Sequence, residues 1–141
     1  MVLDALAEKD RVAVRSGHGV GKTALLAWCV LWWLATRTPC KVPVIAASAD
    51  QLRDTIWPEL GRWHAKMPKA LRMELILTAE RLEQRADEGQ EPGFATARVA
   101  SKDRPEALQG LHSENLLVIV DEASAIEVAA LDVLTGALSS P

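Results

Sequence analysis

The sequence predicts an α/β fold in which helices cover both faces of a mostly parallel sheet. Apolar runs of strand length alternate with longer runs of helical character along the chain. The strand-like runs are nearly continuous in apolar residues, which is typical of parallel strands buried on both faces. The chain has 141 residues, of which 49% are hydrophobic and 25% charged, and this length and balance fit one globular domain.

The first third of the chain predicts helix, strand and helix. Residues 2–9 are patterned as a helix, residues 11–15 as a short strand and residues 22–37 as a long helix. We expect the long helix to be buried, because it carries no charged side chain between Lys22 and Arg37. It is too short to span about 30 Å of hydrocarbon. The N-terminus has no targeting pattern, so we expect a cytoplasmic protein with no membrane contact.

The middle of the chain predicts a second strand and an amphipathic helical stretch. Residues 41–47 are rich in β-formers, and Ser48 or Asp50 can cap the helix that follows. Pro58 either kinks this helix or occupies the first turn of a separate one, and Pro68 ends the amphipathic pattern.

A polar turn cluster at residues 87–93 predicts a small β-hairpin insertion. Residues 94–100 alternate as a half-buried strand does. Residues 71–84 suit either a helix or, at 75–78, a strand. We favour a hairpin with one strand on each side of the turn.

The last part of the chain predicts a short helix or turn at 105–109, a strand at 116–120 and a final helix at 126–138. The strand is the clearest buried strand in the sequence, because all of its residues are apolar. It leads directly into Asp121 and Glu122.

Composition limits the classes of function. The net charge of −3 gives no chain-wide attraction to nucleic acid, so DNA contact would need a local basic patch. The two cysteines, Cys29 and Cys40, lack metal or redox spacing, and we expect reduced thiols with Cys29 buried in the long helix. The same helix carries Trp28, Trp32 and Trp33. We favour core packing over base stacking for these side chains.

A glycine-rich turn lies between the first strand and the long helix. Strand, glycine-rich turn, Lys-Thr and helix is the arrangement that cradles a nucleotide's phosphates in P-loop NTPases. Glycines let backbone N–H groups converge on an anion, the helix start adds roughly half a positive charge, and Lys22 adds a full one. Ser16 replaces the first glycine of G-x-x-x-x-G-K-[ST], which we interpret as a variant loop rather than an incidental turn. The candidate nucleotide-binding residues are Ser16, Gly17, His18, Gly19, Val20, Gly21, Lys22 and Thr23.

The acidic pair after the last strand predicts the second half of this site. Ligands of open α/β sheets bind beyond the carboxyl ends of the strands, so we expect Thr23 and Asp121 at one edge, where both can hold Mg²⁺. Glu122 can activate water for attack on the γ-phosphate of ATP, and Lys22 can stabilise the charge that develops there. A solvated strand end is the alternative interpretation of the pair.

Phosphoryl transfer often requires a further cation. The candidates for charge stabilisation are Arg15, Arg98, Arg104 and, more weakly, His18. Each is more often a surface charge, and a neighbouring subunit is an alternative source.

Two segments carry a family resemblance. The loop at 16–23, with a tryptophan-rich helix behind it, resembles the ATPase domain of phage terminase large subunits, the motors that package DNA into capsids. Residues 104–112, RPEALQGLH, followed by 117–124, are similar to the stretch that these proteins carry up to their Walker B carboxylates. Helicases and other translocases share the loop and the carboxylates, so it is the RPEALQG segment that narrows the resemblance to terminases. The resemblance covers residues 10–138.

The resemblance implies a P-loop ATPase of the additional-strand class that uses ATP and Mg²⁺. Lys22 and Thr23 match the Walker A pair, and Asp121 and Glu122 match the Mg²⁺-binding and catalytic carboxylates. The implied partners are double-stranded DNA, a small terminase subunit, a portal and other copies in a ring, within a bacterial host cell. Residues 1–141 are expected to be a partial ATPase domain without the family's nuclease domain.

Two other functions fit the same residues. A helicase-like DNA translocase shares every catalytic residue named above. A catalytically incomplete, nucleotide-binding remnant of a prophage protein would keep the loop without turnover.

Overall fold

A computed structural model describes residues 21–100 and 113–121, which form a five-stranded sheet with helices packed against it. The helices are α1 (Lys22–Thr36), α2 (Ala49–Gln51), α3 (Trp57–Lys66) and α4 (Lys69–Arg72), and a π-helical segment, Leu52–Ile56, joins α2 to α3. The strands are β1 (Lys41–Ala46), β2 (Leu75–Leu77), β3 (Arg81–Gln84), β4 (Phe94–Val99) and β5 (Ile119–Val120). The elements predicted at 2–9, 11–15, 105–109 and 126–138 lie outside the described residues.

Helix α1 is bounded by a glycine at its start and an extended residue at its end. Gly21 has a φ of 78°, in the left-handed region that glycine enters without steric cost. The helix ends at Thr36, and Arg37 is extended shortly before Pro39. The predicted bounds of this helix are confirmed to within one residue. Within the described ranges, no helix has the length and apolar character needed to cross a membrane.

Strand β1 lies inside the sheet. It pairs in parallel with β4 on one side and with β5 on the other. Its residues from Val42 to Ala46 are all buried, so both faces of the strand are covered. The predicted strand at 41–47 is therefore confirmed. Ser48 caps the helix that follows, because its Oγ accepts a hydrogen bond from the Gln51 backbone N–H at 3.1 Å.

The part of the sheet that the structure describes is mixed. Among the described strands, β1 pairs in parallel with β4 and β5, whereas β2–β3 and β3–β4 are antiparallel. The connections 78–80 and 85–93 are too short for the crossover of a dozen or more residues that parallel neighbours need. Strands do flank the polar turn, as predicted. They continue the main sheet, because β4 pairs with β1 and β3 at once.

Strand β5 is shorter than predicted. It covers Ile119–Val120, and Leu116 contributes one isolated parallel bridge to Lys41. Leu117 and Ile119 are buried, whereas Val118 is half-buried. The apolar run at 116–120 therefore lies beside β1, but it forms a regular ladder of backbone hydrogen bonds only at its carboxyl end.

Gln84 ties the end of α1 to two strands. Its side chain is buried, and Nε2 donates to the backbone carbonyls of Leu34, at 2.8 Å, and of Arg37. Its Oε1 accepts from the Gly93 backbone N–H at 2.9 Å, just before β4. The two bonds donated by Nε2 satisfy carbonyls at the C-terminal end of α1 that have no partner within the helix.

Trp28 is more exposed than predicted. It is 43% exposed, so the expectation that it packs in the core is wrong. The buried stripe of α1 includes Ala27, Val30, Leu31 and Leu34, which follow the spacing of one helix face. Trp28 lies beside that stripe and packs edge-on against Trp63 of α3, with ring centroids 5.0 Å apart.

Both cysteines are buried and free. Burial raises the pKa of Cys29, and it raises the pKa of Cys40 to about 11, against an opposing effect of the nearby Arg37 charge. The buried thiol predicted at Cys29 is confirmed. A raised thiol pKa disfavours the thiolate, so neither side chain is suited to act as a nucleophile.

We predict that Gly93→Ala lowers the free energy of unfolding by about 1–3 kcal/mol. An alanine Cβ at this buried position would lie 2.5 Å from Gln84 Oε1 and 2.8 Å from Cys40 Sγ. Gly61→Ala in α3 is the matched control, because its Cβ would meet Leu77 Cδ2 at an ordinary 3.4 Å. Helix propensity should raise the stability of that control by up to about 1 kcal/mol. Urea unfolding measures both, and an unchanged Gly93→Ala midpoint would contradict the packing around Gln84.

Candidate functional site

The carboxyl ends of β1 and β5 meet at one edge of the sheet. Ile45 is in register with Val120, and the next residue, Asp121, donates its backbone N–H to the Ile45 carbonyl at 3.0 Å. The Asp121 residue is only 6% exposed. The parallel ladder therefore fixes a nearly buried carboxylate at the edge where open α/β sheets bind ligands.

Lys22 contacts this carboxylate from the first residue of α1. Its Nζ lies 3.7 Å from Asp121 Oδ1, and its side chain is 35% exposed. No acidic residue occupies the first turn of α1, so the positive end of the helix dipole adds to the Lys22 charge. Lys22 and Asp121, predicted as parts of one site, lie together in the structure.

Gln51 holds the second carboxylate oxygen. Its Nε2 donates to Asp121 Oδ2 at 2.7 Å, so both oxygens have a polar partner. Sequence reasoning did not select Gln51 as a site residue. The signal that could have found it is its position, since it lies in the first helical turn after β1, beyond the carboxyl end of a parallel strand.

The structure describes three other predicted site residues. Gly21 precedes α1, and a Cβ built there would meet no atom within 4 Å. Thr23 follows Lys22 in the first turn of α1 and is half-buried. Arg98 is half-buried in β4, at the position paired with Ile45. The strand that carries Arg98 and the strand that leads to Asp121 therefore lie on opposite sides of β1.

The remaining predicted site residues lie outside the described residues. They are Arg15, Ser16, Gly17, His18, Gly19, Val20, Arg104 and Glu122.

The donor types at this edge fit a phosphate and a magnesium ion. Lys22 and the N-terminal end of α1 offer positive charge to an anion. The Asp121 carboxylate and the Thr23 hydroxyl are hard oxygen donors, of the kind that Mg²⁺ prefers. A buried carboxylate next to a lysine and a helix start can therefore hold a cation and an anion side by side.

Comparison with known proteins gives a phage relative. The chain is 30% identical over 132 residues to a protein of Enterobacteria phage P7 described as a probable terminase, large subunit. The aligned region covers 90% of this chain and 26% of that relative, so the chain spans about a quarter of the length of the curated relative. No family model matches the chain. The relative belongs to the protein class that the motif residues resemble.

We predict a measurable energetic coupling between Lys22 and Asp121. In a double-mutant cycle with Lys22→Met and Asp121→Asn, the free energies of unfolding should depart from additivity by about 0.5–1 kcal/mol, a value kept low because Lys22 is partly exposed. The coupling should decrease at high salt. Asp50→Asn replaces Asp121→Asn in the control cycle, because the Asp50 side chain is 78% exposed and pairs with Arg53. Additivity in both cycles would contradict the contact.

Proposed function

We propose that this chain is part of the ATP-hydrolysing motor of a phage terminase large subunit, which drives double-stranded DNA into a capsid. The observation that carries the proposal is the contact between Lys22, at the start of α1, and the nearly buried carboxylate of Asp121. The two residues are 99 positions apart, from 22 to 121, and they match the two halves of a phosphate and magnesium site.

The proposed roles divide by charge. Lys22 and the backbone at Gly21 bind the outer phosphates of ATP, together with Ser16–Val20 of the loop. Thr23 and Asp121 hold Mg²⁺, which supplies charge neutralisation on the phosphates when it is bound.

Hydrolysis requires two further actions of this chain. The Lys22 ammonium exchanges Asp121 for phosphate oxygen, and its flexible, partly exposed side chain favours such an exchange. Glu122 orients and deprotonates the attacking water. Arg98, Arg15, Arg104 and His18 are the candidates for additional charge stabilisation within the chain.

The similarity to the phage P7 protein supports the motor assignment. It extends over 90% of this chain, so it includes both halves of the proposed site and the segment between them. The partners proposed for the whole protein are double-stranded DNA, a small terminase subunit, a portal and further copies in a ring. Because the net charge of this chain is −3, contact with DNA would rest on local basic surface or on other parts of the motor.

Nucleotide binding tests the proposal directly. We expect the chain to bind a fluorescent ATP analogue in the presence of Mg²⁺. Lys22→Ala should weaken that binding by about tenfold or more, because the phosphates lose a charge-assisted partner. Lys69→Ala is the matched control, since Lys69 is an exposed lysine of α4. Its affinity should equal that of the wild type.

The catalytic role is tested separately. Glu122→Gln should keep nucleotide affinity and lower hydrolysis by about 10²–10⁴-fold, measured as phosphate release in the parent motor with DNA. Full hydrolysis by Glu122→Gln, together with unchanged affinity in Lys22→Ala, would refute the ATPase assignment. Binding without turnover in the complete motor would favour a catalytically incomplete remnant.

A further inference from the structure

Asp121 is held by two side chains of different chemical character. Lys22 Nζ approaches Oδ1 at 3.7 Å, whereas Gln51 Nε2 donates to Oδ2 at the shorter distance of 2.7 Å. Lys22 brings a full positive charge, and Gln51 brings a neutral amide. The two partners therefore act differently on a cation that approaches Asp121.

Gln51 is itself firmly positioned. Its backbone N–H is bonded to Ser48 Oγ at 3.1 Å, and the π-helical segment after it is anchored by Leu52 and Ile56, which are 5% and 3% exposed. π-Helical turns occur frequently at functional sites. The amide is thus presented to Asp121 by a segment whose own conformation is fixed.

A neutral donor can orient a metal-binding carboxylate without competing for its charge. A lysine beside the same carboxylate offsets part of the negative charge that attracts Mg²⁺, and Lys22 also has to bind phosphate in the proposed function. When Lys22 moves to phosphate, the bond from Gln51 can persist. Loss of a group that hydrogen-bonds to a metal ligand, without touching the metal itself, commonly lowers metal affinity by about 10–100-fold.

We infer that Gln51 is a positioning residue of the magnesium site. It fixes Asp121 through Oδ2, and the carboxylate would then be held in place for Mg²⁺ when Lys22 binds the nucleotide instead. This inference rests on the proposed function. It assigns to Gln51 an effect on the metal rather than on the nucleotide itself, and this difference makes it testable without hydrolysis.

The test compares nucleotide binding with and without Mg²⁺. Gln51→Met keeps the approximate length of a half-buried side chain and removes the amide donor. We expect its nucleotide affinity in EDTA to equal that of the wild type. We expect the Mg²⁺ concentration that gives half-maximal enhancement of binding to rise about tenfold.

Two further variants complete the test. Thr55→Met introduces the same side chain at an exposed position one turn along the same helical stretch, and its Mg²⁺ titration should match the wild type. Gln51→Asn keeps the amide but withdraws it by one methylene, so it should shift the Mg²⁺ titration in the same direction as Gln51→Met. It keeps the polar character of the side chain, and urea unfolding of each variant verifies that the variant is folded.

The outcomes separate the inference from the proposed function. A wild-type chain that binds no nucleotide with Mg²⁺ would overturn both. A wild type that binds, with Gln51 variants whose Mg²⁺ titrations match it, would overturn only the role of Gln51. A loss of affinity in EDTA equal to the loss in Mg²⁺ would show a structural role and would also overturn the inference.

Discussion

The parallel pairing of β1 with β5 is the constraint on which the site depends. The ladder sets Ile45 opposite Val120, and the bond from the Asp121 N–H to the Ile45 carbonyl extends it by one residue. The side chain of Asp121 is thereby held beside the end of β1, where the helix capped by Ser48 begins. A slip of one residue would turn Asp121 toward the opposite face, away from Lys22 and Gln51.

Burial of the Asp121 carboxylate explains why its partners are needed. An ionised carboxylate that is removed from water costs several kcal/mol unless hydrogen bonds and opposite charge replace its hydration. Gln51 supplies the hydrogen bond and Lys22 the charge. The ion pair leaves Lys22 partly exposed, whereas Gln51 bonds the other carboxylate oxygen. In the proposed function, Lys22 is exchanged for a ligand while Gln51 keeps the carboxylate in place.

The antiparallel half of the sheet supports the site from the far end of α1. Gln84 of β3 accepts from Gly93 and donates to the carbonyls of Leu34 and Arg37, which fastens the end of the helix to the sheet. Trp33 Nε1 donates a further hydrogen bond from this end of the helix, to the backbone carbonyl of Asn115 at 3.2 Å. Because α1 is a rigid element of 15 residues, fixing its C-terminal end also restricts where Lys22, at its other end, can lie.

Elements whose signals are local are predictable from the sequence alone. Gly21 and the apolar run after it predict α1, and the β-formers after Cys40 predict β1. Lys22 is marked by the glycine-rich turn before it, and Asp121 by the apolar run that it follows. Their roles in catalysis and metal binding remain predictions. Contacts between distant residues set the rest: the mixed sheet, the exposure of Trp28 and the bond from Gln51 to Asp121. Gln51 and Asp121 are 70 positions apart, and no periodicity within either segment specifies which strands become neighbours and bring them together.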